Sequence, residues 1–164
     1  MNINEAIDFL DEQVPDSTKG LPLDVFLFAS RLLPLVNVDL LVKDERGRTL
    51  LAWRDDPYAG TGWHVPGGIL RFRERLETRV QKVAETEIGT EVRVDPNPIA
   101  VNQFMHPSRK TRGHFISFLY RCFVSKDFIP ANTGLKNTDA GYLMWHEKCP
   151  PNLICVHEIY KSHI

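Results

Sequence analysis

The sequence predicts an α/β (α+β) fold, and three observations carry the prediction. Short runs rich in Val, Leu, Ile and aromatic residues alternate with turn formers from Val36 onward. An amphipathic helical pattern follows a Gly-Gly element at its centre. A length of 164 residues, 43% hydrophobic and 25% charged, suits one domain with a full core, residues 1–164.

Residues 3–14 repeat apolar side chains at Ile3, Ile7, Leu10 and Val14, which predicts a helix lying against a neighbour. The stretch 15–20, PDSTKG, is its loop, and Pro22 suits the first turn of a second short helix, LDVFLFASRLL. Val36 to Lys43 and Arg48 to Arg54 read as a hairpin around Asp44-Glu45-Arg46-Gly47, with Gly47 where positive φ is needed. The following loop, DDPYAGTG, is rich in turn formers, and its Tyr58, with Trp63, reads either as a surface for stacking on a base or as core or rim packing.

Trp63, His64 and Val65 read as a strand stopped by Pro66, and Gly67-Gly68 as a turn that lets backbone approach a ligand. From Arg75 a helix is predicted, with Leu76, Val80, Val83, Ala84 and Ile88 on one face and Gly89 as its stop. Glu87 lies about 1100° of rotation beyond Leu76 at roughly 100° per residue, so its carboxylate falls on the apolar side. If buried, an ionised carboxylate there needs a partner, a proton or a cation; the other reading is an edge position that reaches solvent.

Glu91 to Val94 and Ile99 to Phe104 are predicted as short strands. His114 to Val124 reads as a central strand buried on both faces, reached through the polar, basic loop MHPSRKTRG. Residues 125–138 form a mobile connection, Tyr142 to His146 a last strand, and the tail from Asn152 a short helix.

A net charge of −1 supplies no general attraction to nucleic acid or to an anionic membrane. The local cluster Arg71, Arg73 and Arg75 suits a phosphate-bearing ligand or a solvated face. Cys122, Cys149 and Cys155 lack zinc-type spacing and read as reduced thiols. With no basic leader and no long apolar run, a cytoplasmic protein without a membrane span is expected.

The stretch WHVPGGILRFRERLETRVQKVAETEIGT resembles the Nudix signature. Counted from Gly68, Glu74 takes the first Glu position, Lys82 the Arg, Glu87 the last Glu and Gly89 the closing Gly. Val83 and Thr86 stand at the other two Glu positions, and Thr90 at the final apolar one. Loss of those two acids with the last one kept is similar to the GDP-mannose mannosyl hydrolase branch, as is LLPLVNVDLLVKDERGRTLLAWR upstream. Arg54, His106 in QFMHP and His114 in GHFISFLY also fall on that pattern. The resemblance implies a mixed β-sheet between helices, with residues 1–33 as a helical extension and 34–164 as the core.

It further implies one Mg²⁺ (or Mn²⁺) on the Gly67 carbonyl and the Glu87 carboxylate, a homodimer, and a nucleotide sugar as substrate. Arg54, Arg71, Tyr58 and His106 would contact that substrate, Arg54 and His106 with roles in the chemistry as well. A third metal ligand and a general base come from the segment before the last strand in that branch. Here the segment is NTDAGYLMW, and Asp139 is ligand or base according to whether Trp145 or Tyr142 sets the match. The base therefore stays unassigned, and Asp139 is equally a turn-forming residue. His64 and His114 read as structural, and Glu74 with Lys82 as a pair fixing loop to helix.

The activity so implied is water attack on the anomeric carbon of GDP-mannose or a relative. Two rivals remain open: a pyrophosphatase attacking phosphorus in another nucleotide conjugate, and a catalytically silent nucleotide-binding module.

Overall fold

The computed structural model describes residues 2–58 and 60–164; Met1 and Ala59, the latter in the DDPYAGTG loop, lie outside them. Helix α1 (Ile3–Gln13) starts at a capping box: the Asn2 side chain accepts from Glu5 N, and the Glu5 carboxylate accepts from Asn2 N. The helix does not bury the apolar face expected to lie against a neighbour. No α1 residue is buried, and Ile3, Ile7 and Phe9 stay exposed. Helix α2 (Leu23–Ala29) follows Pro22, whose fixed φ and missing N–H suit a helix start.

Among the described residues eight strands form one mixed sheet: β1 (Leu35–Lys43), β2 (Thr49–Asp56), β3 (Gly60–His64), β4 (Gly67–Ile69), β5 (Arg93–Val94), β6 (Ala100–Met105), β7 (His114–Phe123) and β8 (Leu143–His146). The path runs β3-β2-β1-β7-β5, with β4 on β1, β6 on β7 and β8 on β2. β1 and β7 are parallel, Asp39 beside Leu119 and Asn37 beside Ser117; the other named pairings are antiparallel. The β1–β2 turn forms as expected, Gly47 at φ +78° and Asp44 accepting from Arg46 N and Arg48 N.

Period-2 alternation sends each strand's side chains to two cores. Val38, Leu40, Val42, Leu50, Ala52, Tyr120 and Cys122 face Val80, Val83, Ala84 and Ile88. Helix α3 (Leu76–Val83) and the turn after it therefore cover one face of the sheet. Each fully buried Val or Ile there contributes roughly 1.5–3 kcal/mol of transfer energy. Leu41, Leu51 and Leu119 face the other way, against Trp63 of β3, Val65 just after it, and Leu153 and Tyr160 of the C-terminal segment. The expected tail helix is a 3₁₀ turn, Cys155–Tyr160. The sheet is thus covered on both faces.

Two expectations change in detail. Much of the expected loop after Arg54 is strand, because β2 continues to Asp56 and β3 begins at Gly60, which pairs with Asp56. Gly67 and Gly68 form a strand on β1 rather than a turn. Crowding requires both glycines: a Cβ on Gly67 would lie 2.1 Å from Asp39 Oδ1, and one on Gly68 2.7 Å from Val83 Cγ2. Residues 125–138 are tied to β8 by Asn132, whose side chain exchanges hydrogen bonds with both Leu143 N (2.9 Å) and Leu143 O (2.8 Å).

Candidate active site

Glu87 sits where α3 widens into one π turn, Ala84–Ile88, which ends at Gly89 in the left-handed region at φ +80°. A π turn rotates the residues after it relative to a regular α-helix, and such turns recur at functional sites. It brings Glu87 Oε2 to 3.3 Å from Gly67 N and 3.4 Å from His64 Nε2. The Glu87 side chain is 29% exposed, and among the described residues no Lys or Arg nitrogen lies within 4.0 Å of it. Burial lowers the pKa of His64 in spite of Glu87, so the imidazole facing the carboxylate is neutral at pH 7.

The two missing acids have structural replacements. Val83 is buried against Gly68, and Thr86 Oγ1 donates to Lys82 O at 2.7 Å. Among the described residues no group of three or more His, Cys, Asp or Glu side chains is placed to hold a metal ion. One partly exposed carboxylate beside the tight Gly67 backbone remains. A single carboxylate fits a hard cation whose other ligands are backbone carbonyl, water and substrate oxygens.

Glu74 fixes the loop ahead of α3. Its carboxylate accepts from Arg71 N (3.0 Å), Arg79 Nε (2.7 Å) and Lys82 Nζ (3.0 Å). Burial alone would raise its pKa, but these donors outweigh that and hold it at about 2. The expected Glu74–Lys82 pair is present, and Arg79 completes it.

Two cavities flank this region. The smaller, about 520 Å³, is lined by Glu87, His64, Thr86, Ala140 and Gly141 among others. The larger apolar one, about 540 Å³, has Asn37, Asp39 and Ser117 on its floor, with walls from α2, Tyr58, Gly67, Arg71 and the C-terminal turn. Arg54 and Arg112 line both. Asp39 Oδ1 accepts from Asn37 Nδ2 (2.7 Å) and Oδ2 from Tyr160 OH (2.5 Å); burial outweighs these bonds and pushes its carboxyl up to about 6. His157 Nδ1 accepts from Val65 N (2.9 Å), and burial holds its pKa well below the usual histidine range.

Among the site residues expected from sequence, the structure gathers Arg54, Tyr58, Gly67, Arg71 and Glu87 around the two cavities. Asp139 and His106 line neither. Asp139 Oδ2 accepts from Lys136 N at 2.8 Å and its carbonyl from Tyr142 N, so it closes the turn before β8. His106 Nδ1 lies 3.2 Å from Ser108 Oγ, within the β6–β7 loop. His64, read as structural, stands against Glu87.

Asn37, Asp39, Ser117, Arg112, His157 and Tyr160 were not singled out by sequence. Asn37 and Asp39 had a legible signal, two polar residues two apart inside the apolar run LVNVDLLVK. The others come from elements distant in the chain.

Residues 33–147 match the family model described as the NUDIX domain. The low-salt glycan biosynthesis protein Agl8 of Haloferax volcanii is 34% identical over 83 residues, 51% of this chain and 53% of that protein. The match thus spans about half the length of that relative. A MutT NUDIX hydrolase from Burkholderia pseudomallei superposes with a TM-score of 0.62 at 19% identity, over 80% of this chain and 98% of that one. A protein from Jonesia denitrificans, described as a possible asymmetric diadenosine tetraphosphate hydrolase, gives 0.60 at 22% identity, over 80% and 92%. No helix among the described residues is long and apolar enough to cross a membrane.

Proposed function

Because the chain belongs to the Nudix hydrolase family through its domain at residues 33–147, we propose that it is a Mg²⁺-dependent hydrolase of nucleoside diphosphate sugars. GDP-mannose or a relative would give the nucleoside diphosphate and free sugar by water attack at the anomeric carbon. The observation that carries this reading is the single carboxylate, Glu87, beside Gly67, with buried Val83 and bonded Thr86 at the two other acid positions. Such a site suits a cation that arrives on, or is completed by, a diphosphate. The name of the Haloferax volcanii relative, a glycan biosynthesis protein, agrees with a sugar-bearing substrate.

Glu87 and the Gly67 carbonyl would hold Mg²⁺, which when bound neutralises diphosphate charge. Arg54, on the rim of both cavities, binds the same diphosphate and stabilises it as it leaves. Tyr58 and Arg71 line the larger cavity and orient the remainder of the substrate. Asp139 lines neither cavity, so it would accept the water's proton only by movement of the turn before β8, through the oxygen that Lys136 N does not occupy. His106 would reach substrate only by movement of the β6–β7 loop.

The test is turnover of a panel of nucleoside diphosphate sugars with Mg²⁺ in water enriched in heavy oxygen. Label in the free sugar, with unlabelled nucleoside diphosphate, supports carbon attack. Label in a phosphate product moves the protein to the pyrophosphatases. Tight nucleotide binding without turnover makes it a silent binding module.

A further inference from the structure

We propose that Arg112 is a second diphosphate-binding guanidinium that works beside Arg54, and that residues ahead of the matched domain hold it in place. This rests on the reading of the site as one for a nucleoside diphosphate. Arg54 and Arg112 are the two described residues that line both cavities. One cavity holds Glu87; the other is largely apolar and carries Tyr58 and Phe26. A ligand with its diphosphate at the cation site and its nucleoside in the apolar cavity would run past these two arginines, which both cavities share.

Arg112 is built into position. Its backbone is left-handed, φ +51°, which a non-glycine residue adopts only when its surroundings enforce it. Its N–H donates to Ser30 Oγ at 3.0 Å, and that hydroxyl donates to Leu27 O at 2.8 Å. The bond spans 82 positions and ties the β6–β7 loop to the segment after α2. The guanidinium carbon lies 4.6 Å from the centre of the Tyr58 ring and 5.9 Å from that of Phe26. Stacking of this kind holds the plane of an arginine while its edge N–H groups stay available.

Its charge is incompletely matched. Arg112 Nε is buried without a hydrogen-bond partner, and among the described residues no carboxylate oxygen lies within ion-pair distance of this guanidinium. Asp56 attracts it, whereas Arg54 and Arg109 repel it, and burial further disfavours its charge. Asp56 is also 3.5 Å from Arg54 Nε, so the two guanidiniums share one acid. A dianionic group between them would relieve the repulsion, and two planar forks can each engage one phosphate. The pair therefore favours a nucleoside diphosphate over a monophosphate.

The experiment is calorimetric titration of the full chain with GDP and with GMP, each with Mg²⁺, alongside melting temperatures. Arg112→Gln is expected to weaken GDP about tenfold or more while GMP changes little, collapsing the preference for the diphosphate. Arg112→Lys keeps charge without the fork and should fall between. Ser30→Ala should shift the same ratio less, and Ser30→Thr should restore it; Arg46→Gln, on the distant β1–β2 turn, is the control. A wild-type GDP:GMP ratio in Arg112→Gln, or equal weakening of both ligands with a lowered melting temperature, overturns the proposal while leaving the function reading intact. Wild-type protein that binds neither nucleotide overturns both.

Discussion

The Tyr160 hydroxyl donates to Asp39 Oδ2 at 2.5 Å, joining the C-terminal turn to the centre of β1 across 121 positions. Both residues are buried, and the bond lies at the floor of the larger cavity, where the turn also presents His157 to Val65 N. Tyr160→Phe keeps the ring and removes the donor, leaving a buried carboxyl short of one partner. A loss of about 1–3 kcal/mol is expected in denaturant unfolding. An unchanged midpoint would show that the tail is held by packing alone.

Glu87→Gln should lower Mg²⁺-dependent turnover by orders of magnitude with the fold intact. The side chain is partly exposed and its protein contacts, at 3.3 and 3.4 Å, are long, so little stability depends on it. Steady-state rates and a melting curve check this; an unaffected rate removes the proposed metal site.

Asp139→Asn separates a turn from a catalytic group. The amide oxygen can still accept from Lys136 N, so stability should change by less than about 0.5 kcal/mol. A rate loss of a hundredfold or more would assign the proton acceptor or a metal ligand to Asp139, and a near-normal rate would leave it a turn residue.

Stability at low pH should report on Glu74. Its pKa is lowered from 4.5 to about 2 in the fold, so its contribution is present above pH 4.5 and lost as pH falls toward 2. At about 1.4 kcal/mol per pH unit the full effect is at most roughly 3–4 kcal/mol. Glu74→Gln should remove this part of the acid dependence, read as the difference between unfolding free energies at pH 3 and pH 6, pH values set by that window.

Restoring an acid at position 83 should fail. Val83 is 3% exposed, with its Cγ2 against Gly68 and its neighbours in the helix–sheet core. Val83→Glu places a carboxylate in that core and should destabilise by several kcal/mol, visible in thermal unfolding. A stable variant with tighter metal binding would show that this position faces the metal site.

Periodicity and turn chemistry determined most of the elements, because they depend on neighbours in sequence. The spacing of Leu76, Val80, Val83 and Ile88 placed α3, Gly47 placed the β1–β2 turn, and alternation placed the central strand. The motif singled out Glu87 and Gly67, and the stretch upstream of it Arg54, because each pattern is local in the chain; the structure gathers the three around the two cavities. Tertiary structure alone decided which residues share a site. Ser30 reaches Arg112, Tyr160 reaches Asp39, and His157 reaches Val65 only because β1 and β7 pair in parallel and the tail packs back on the sheet. The amphipathic pattern of α1 shows the limit of the local signal. It specified a helix correctly, but what covers its apolar face depends on packing that no spacing encodes.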